Sequence, residues 1–154
     1  MSRRSLPAVL LVLVAAVLAG ACDSAAPASE PPTGGHPATL SGTSWAVSSV
    51  GGVAPVAGSV PALAFAATRV QGNGGCNQLG GDYAYDPATG QLRFGQLSMT
   101  AMACAEQPRN DFETRFVRAL GPVLLVTTGA NGDLVLSGPG GQIVLVIVGP
   151  TVTD

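Results

Sequence analysis

Past Leu40 the chain alternates apolar and polar residues in short runs, broken every eight to twelve positions by glycine, proline, asparagine or aspartate. A period of two places alternate side chains on opposite faces of an extended strand, and turn residues at that spacing join such strands as antiparallel hairpins. The pattern predicts strands over Ser44 to Val50, Leu63 to Ala67, Arg69 to Gly72, Gly81 to Tyr85, Gln91 to Phe94, Val123 to Thr128, Asp133 to Ser137 and Gln142 to Val148. Asp86-Pro87-Ala88-Thr89-Gly90, Asn131-Gly132 and Gly138-Pro139-Gly140-Gly141 read as connections, since Gly and Asn accept the positive φ of tight turns. The last three strands read as a meander.

One segment follows a different period. Phe112, Phe116 and Leu120 recur every fourth residue with Val117 beside them, which predicts a helix with an apolar stripe. Pro108 precedes it, Asn110 is the expected cap with Glu113 at the third helical position, and Gly121-Pro122 stops it. Glu113, Arg115 and Arg118 are expected to point away from the stripe. Eight strands leave open edges unless the sheet closes, so the expected fold is mainly β: a small antiparallel β-barrel plugged or flanked by one α-helix.

The first forty residues follow neither pattern. Arg3 and Arg4, an apolar run from Ala8 to Leu18 and the small residues Ala19, Gly20 and Ala21 have the order of a secretory signal peptide, residues 1–21. Leu18-Ala19-Gly20-Ala21-Cys22 resembles the bacterial lipobox, which implies that Cys22 carries lipid. An ordinary signal peptide or an uncleaved anchor is the alternative. Residues 22–39, rich in proline, alanine and glycine, read as a tether with a reach of roughly 50 Å at about 3.1 Å per residue. Its His36 is expected to be a solvated linker residue. The domain then occupies residues 40–150. These features place it outside the cytoplasm, lipid-anchored to the cell envelope, with the membrane as its partner through that lipid.

Composition removes several classes of function. The chain has no lysine, and beyond the leader five arginines face nine acids, leaving a charge of −4, so nucleic acid is not an expected partner. Nucleophilic triads and zinc hydrolysis both lean on histidine, which the domain lacks. Its acids, Asp82, Asp86, Glu106, Asp111, Glu113, Asp133 and Asp154, fall in turns, at the helix start or in the tail, where solvated or capping roles are expected. No oxygen-rich loop suits calcium, and Gly72 to Gly75 is followed by neither Lys-Ser/Thr nor a helix, as a phosphate loop would be. No metal, no cofactor and no catalysis are expected. Trp45, Tyr83, Tyr85 and Phe94 are candidates to fill the interior or, in the alternative, to line a cavity for a small apolar ligand.

Three stretches carry a resemblance. Leu40-Ser41-Gly42-Thr43-Ser44-Trp45, Gly72-Asn73-Gly74-Gly75-Cys76-Asn77 and Met99-Thr100-Ala101-Met102-Ala103-Cys104 together resemble the META domain family, whose members include the bacterial heat-shock lipoprotein HslJ. The resemblance spans Leu40 to Val148. It implies a compact barrel of lipocalin-like topology with one helix, often lipid-anchored, associated with envelope stress and without a recognised catalytic site. In the motifs themselves, Gly74 and Gly75 suit a sharp corner, Asn77 suits satisfaction of turn amides, and Thr100 and Met102 belong to the third stretch, so all are read as fold-making. With Cys22 lipidated, Cys76 and Cys104 form an even pair in an oxidising compartment and are expected to be bonded to each other. A thiol oxidoreductase using that pair is the enzymatic alternative, with Arg109 near Cys104.

Overall fold

The computed structural model describes residues 34–102 and 104–150. Nine strands and one helix follow in order: β1 (Thr43–Val50), β2 (Ala62–Phe65), β3 (Arg69–Asn73), β4 (Gln78–Asp86), β5 (Gln91–Phe94), β6 (Ser98–Met99), α1 (Gln107–Ala119), β7 (Val123–Thr128), β8 (Leu134–Gly138) and β9 (Gly141–Pro150). The sheet runs β3-β2-β1-β9-β8-β7-β5-β4, all antiparallel, and β4 returns to pair with β3. Eight strands therefore close into a barrel, as the edge argument requires, and β6 is a two-residue addition on β4.

Inward positions along the strands supply the core. Leu63 and Phe65, Leu92 and Phe94, Leu124 and Val126, Leu134 and Leu136, and Ile143 and Leu145 each sit two residues apart and are buried. In β1 the alternation breaks: Trp45 and Val47 face inward, then Val50, three positions on, because the register against β9 shifts between Val47 and Ser49. A bulge of this kind tightens local twist, which a small barrel needs to close. Phe112, Phe116 and Ala119 of α1 and Leu120 just after it join the same cluster, so the helix caps the core rather than leaning on an outer face. Trp45 and Phe94 lie in that core, Tyr83 and Tyr85 pack against it half-buried, and Tyr83 meets Phe65 edge-on at 5.1 Å.

The two ends differ. The β3–β4 and β8–β9 turns lie at one end with the helix, where Gly74 faces Glu113 and Gly140 faces the Arg118 backbone. The other end holds the β2–β3, β4–β5 and β7–β8 turns and the incoming chain. There the described part of the expected tether, residues 34–39, is docked on the barrel. Gly34 donates to the Thr128 carbonyl at 3.1 Å, Thr128 donates to that of Gly35 at 2.9 Å, and Tyr85 Oη donates to that of Pro37 at 2.7 Å. His36 is not a solvated linker residue: half-buried beside Gly90, its Nδ1 lies 2.8 Å from the Val126 carbonyl oxygen. The reason is that β5 begins only at Gln91, opposite Leu125, leaving the last residues of β7 an open edge that this segment covers. Cys22 and the signal peptide lie outside the described residues. Among the described residues no helix is long and apolar enough to cross a membrane.

Burial raises the Tyr83 and Tyr85 hydroxyls above the usual tyrosine value of 10.0, with Asp86 adding to the effect at Tyr85. Both hydroxyls donate, Tyr83 to Ala66 and Tyr85 to Pro37, which a phenolate cannot do. A folded-state value above the unfolded one means this stability is complete below pH 10 and is lost as pH rises through the folded values. Denaturant midpoints are expected to fall on that alkaline limb in the native protein, and to fall less in a Tyr83→Phe/Tyr85→Phe variant. An equal fall in both would assign the alkaline loss to other groups.

Candidate functional site

The helix start departs from expectation, and the departure builds the site. α1 begins at Gln107, one turn early, with Glu106 at the cap position making no side-chain cap bond. Pro108 lies inside the first turn, where a missing N–H costs nothing, instead of before it. Asn110 is thus not the cap, and Glu113 is neither a capping residue nor solvated. It is 3% exposed. It lies three residues before Phe116 and seven before Leu120, on the apolar stripe itself, and it enters the loop between β3 and β4.

That loop is organised around its carboxylate. Glu113 Oε1 accepts from the backbone N–H of Asn77 at 2.6 Å and of Cys76 at 3.2 Å, and Oε2 accepts from Asn77 Nδ2 at 2.6 Å. Gly74 permits this approach, because a Cβ there would stand 2.6 Å from Glu113 Cγ and Oε1. Gly75 turns the corner at φ +111°, its N–H donating to Asn73 Oδ1 at 3.1 Å. Burying a carboxylate is costly unless donors replace water, and here three do.

Asn77, 5% exposed, ties the Met99–Cys104 stretch to the Gly72–Asn77 stretch. Its Oδ1 accepts from the Met102 N–H at 2.6 Å and from Thr100 Oγ1 at 3.0 Å, while Nδ2 also reaches the Met102 carbonyl at 3.2 Å. Thr100 Oγ1 in turn accepts from the Gln78 N–H at 3.0 Å. Met102 enters this network through its backbone alone, and its side chain is exposed. The disulfide Cys76–Cys104, with Cα atoms 5.7 Å apart, closes the arrangement covalently, and Cys104 Sγ lies 3.8 Å from Glu113 Oε2. Gly74, Gly75, Cys76, Asn77, Thr100, Met102 and Cys104 are thus brought together, and Glu113 is the member that sequence reasoning missed. The signal was present: a charged residue at a stripe position of an amphipathic helix.

Cys76, Cys104 and Glu113 offer donor atoms within 4.8 Å of one another, but the sulfurs are bonded and the carboxylate is held by three N–H groups. Arg109, the candidate to activate Cys104, instead approaches Glu106 at 3.7 Å. Beside the knot runs an open groove of about 540 Å³ whose lining includes Asn77, Met99, Thr100, Glu113, Val117 and Arg118.

Comparison with known proteins follows the same residues. Residues 38–148 match the model of the META domain. No curated protein matches the chain. Among solved structures, the NMR structure of a protein from Burkholderia xenovorans is 26% identical with a TM-score of 0.53, the match covering 69% of this chain and 81% of that one. A second NMR structure, 23% identical over 69% of this chain and 89% of the other, has a TM-score of 0.58 and speaks to the fold.

Proposed function

The chain belongs to the META domain family, and from that premise we propose that it is a noncatalytic, lipid-anchored module of the bacterial envelope that binds a protein or small-molecule partner and supports survival of envelope stress. The observation that carries the reading is the state of the motif side chains. Both cysteines are spent on each other, and the buried carboxylate and amide are spent on backbone groups, so the knot holds a surface in shape. The disulfide also suits an oxidising compartment, in keeping with the leader. With strand and helix side chains packed as one core, the outer groove beside Thr100 and Val117 is the place for a partner.

Crosslinking in intact cells is expected to capture a partner at groove positions, and a deletion strain to lose envelope-stress survival. Recovery of no partner together with unchanged survival would overturn the binding reading, and insulin-reducing turnover that vanishes in Cys104→Ser would replace it with an oxidoreductase. Anchoring has its own test. Cys22→Ala is expected to abolish precursor processing and fatty-acid labelling, because the lipid on this thiol commits the precursor to its route; continued labelling would remove the anchor from the proposal.

A further inference from the structure

Charged side chains lie at both ends of the barrel. Glu106, Arg109, Asp111, Arg115 and Arg118 cluster on the helix. At the opposite end the charges among the described residues are Asp86, Asp133, the Arg69–Asp82 pair, joined at 3.0 Å, and exposed Arg93, which pairs with Ala84, and the turns between them are built from alanine, threonine, proline, glycine and Asn131. The same end carries an overhang. Pairing of β9 with β8 stops at Leu145 against Leu134, whereas pairing with β1 runs on to Pro150 against Thr43. Among the described residues the strand past Leu145 has a neighbour on one side, and Val146, Ile147 and Val148 are 38%, 63% and 63% exposed. Successive residues of a strand point to opposite faces, so both faces of the overhang are open. Edge strands of proteins in water are commonly guarded by lysine, proline or an inward charge. Val146 to Val148 carry no charge, and the guards this overhang has are Pro150 at its end and the register shift at Val148.

We infer that this end of the barrel is a membrane-facing surface, with the aliphatic overhang of β9 resting at the boundary between lipid headgroups and acyl chains. The occupant follows from where the chain leads. Gly34 joins the barrel at this end, held through Thr128, and eleven residues separate it from Cys22. Eleven residues span at most about 40 Å, so the docked segment shortens the leash and brings this end, rather than the helix end, toward the anchored lipid. With Arg69 and Arg93 against Asp82, Asp86 and Asp133, this end has no excess of cations and requires no anionic lipid. Three aliphatic side chains are too small an area to hold a protein on a bilayer by themselves; they act only where the anchor keeps them close. The consequence for function is orientation: the groove beside α1 faces away from the membrane, toward partners. The inference rests on the lipid-anchor reading of Cys22.

Full-length protein carrying Ile147→Trp, and separately Val117→Trp at the helix end, is reconstituted in vesicles of phosphatidylcholine with brominated acyl chains, Trp45 serving as the common background. Intact mass is measured on the same samples. Quenching is expected to be at least about twofold stronger for the tryptophan at 147 than for the one at 117. Lipid present on Cys22 with equal quenching at both positions overturns the orientation and leaves the anchor standing. A mass without lipid overturns both.

Discussion

Replacing Cys76 and Cys104 together by serine is expected to lower the stability of the domain by about 3–4 kcal/mol, on the loop-entropy estimate for a closure of this length. The two residues are 28 positions apart. The loop they close contains β4, β5 and β6, and the pairing of β4 with β3 and of β5 with β7 completes the barrel. Without the bond the unfolded chain regains that freedom, and the native state is left with the hydrogen bonds of Asn77 and Thr100 and the short β4–β6 pairing to hold the two motifs together. Against a net stability of about 5–15 kcal/mol for a typical domain, the loss is large. Denaturant unfolding of the oxidised protein, the reduced protein and the double serine variant measures it. The last two should unfold at similar midpoints, well below the first. Coincident curves for all three would mean that the bond contributes nothing to stability.

Barrel and disulfide were legible in the sequence because each rests on a signal that neighbouring residues do not alter. Alternation in Gln91–Phe94 and Val123–Thr128 places the strands at their observed bounds. The oxidised pair follows from counting cysteines in a compartment. What failed to show depended on the far side of the fold. Gln78, Leu79 and Gly80 open β4 but contain a glycine and too little alternation, and only β3 on one side and β6 on the other make them a strand. Ser98–Met99 is too short for any period. His36 lies in a stretch without periodicity, yet it docks because β7 outruns β5.

Glu113 was concealed by a competing local pattern. Asn110 followed three positions later by a glutamate satisfies the spacing of a capping box, and a cap is the ordinary explanation for such a carboxylate. The structure starts the helix a turn earlier and turns that side chain inward instead. Its partners Cys76 and Asn77 are 37 and 36 positions away in sequence, a distance at which no local pattern operates. The motif glycines and the helix therefore specify one another only once the barrel is closed.

Glu113→Ala is expected to destabilise the domain by about 3 kcal/mol, because it leaves the N–H groups of Cys76 and Asn77 and the amide of Asn77 without their acceptor, each worth about 1 kcal/mol or more when buried. Glu113→Gln separates charge from shape. Its oxygen can still serve the two backbone donors, but its NH2 then faces Asn77 Nδ2, a second donor. Asn77 cannot turn around to relieve this, since its Oδ1 already accepts from Met102 and Thr100. The glutamine variant should therefore lose about 1–2 kcal/mol even though it is nearly isosteric. Gly74→Ala approaches the same carboxylate from the other side, its Cβ meeting Glu113 Cγ and Oε1 at 2.6 Å. It should cost about 1–3 kcal/mol in the native background, as overpacking does, and much less in Glu113→Ala, where the obstructing atoms are gone. A double-mutant cycle on unfolding free energies reads the difference, with a coupling of about 1 kcal/mol or more expected for groups in contact. Additive costs at the two positions would show that Gly74 is required for its own backbone conformation and that the carboxylate does not organise the loop.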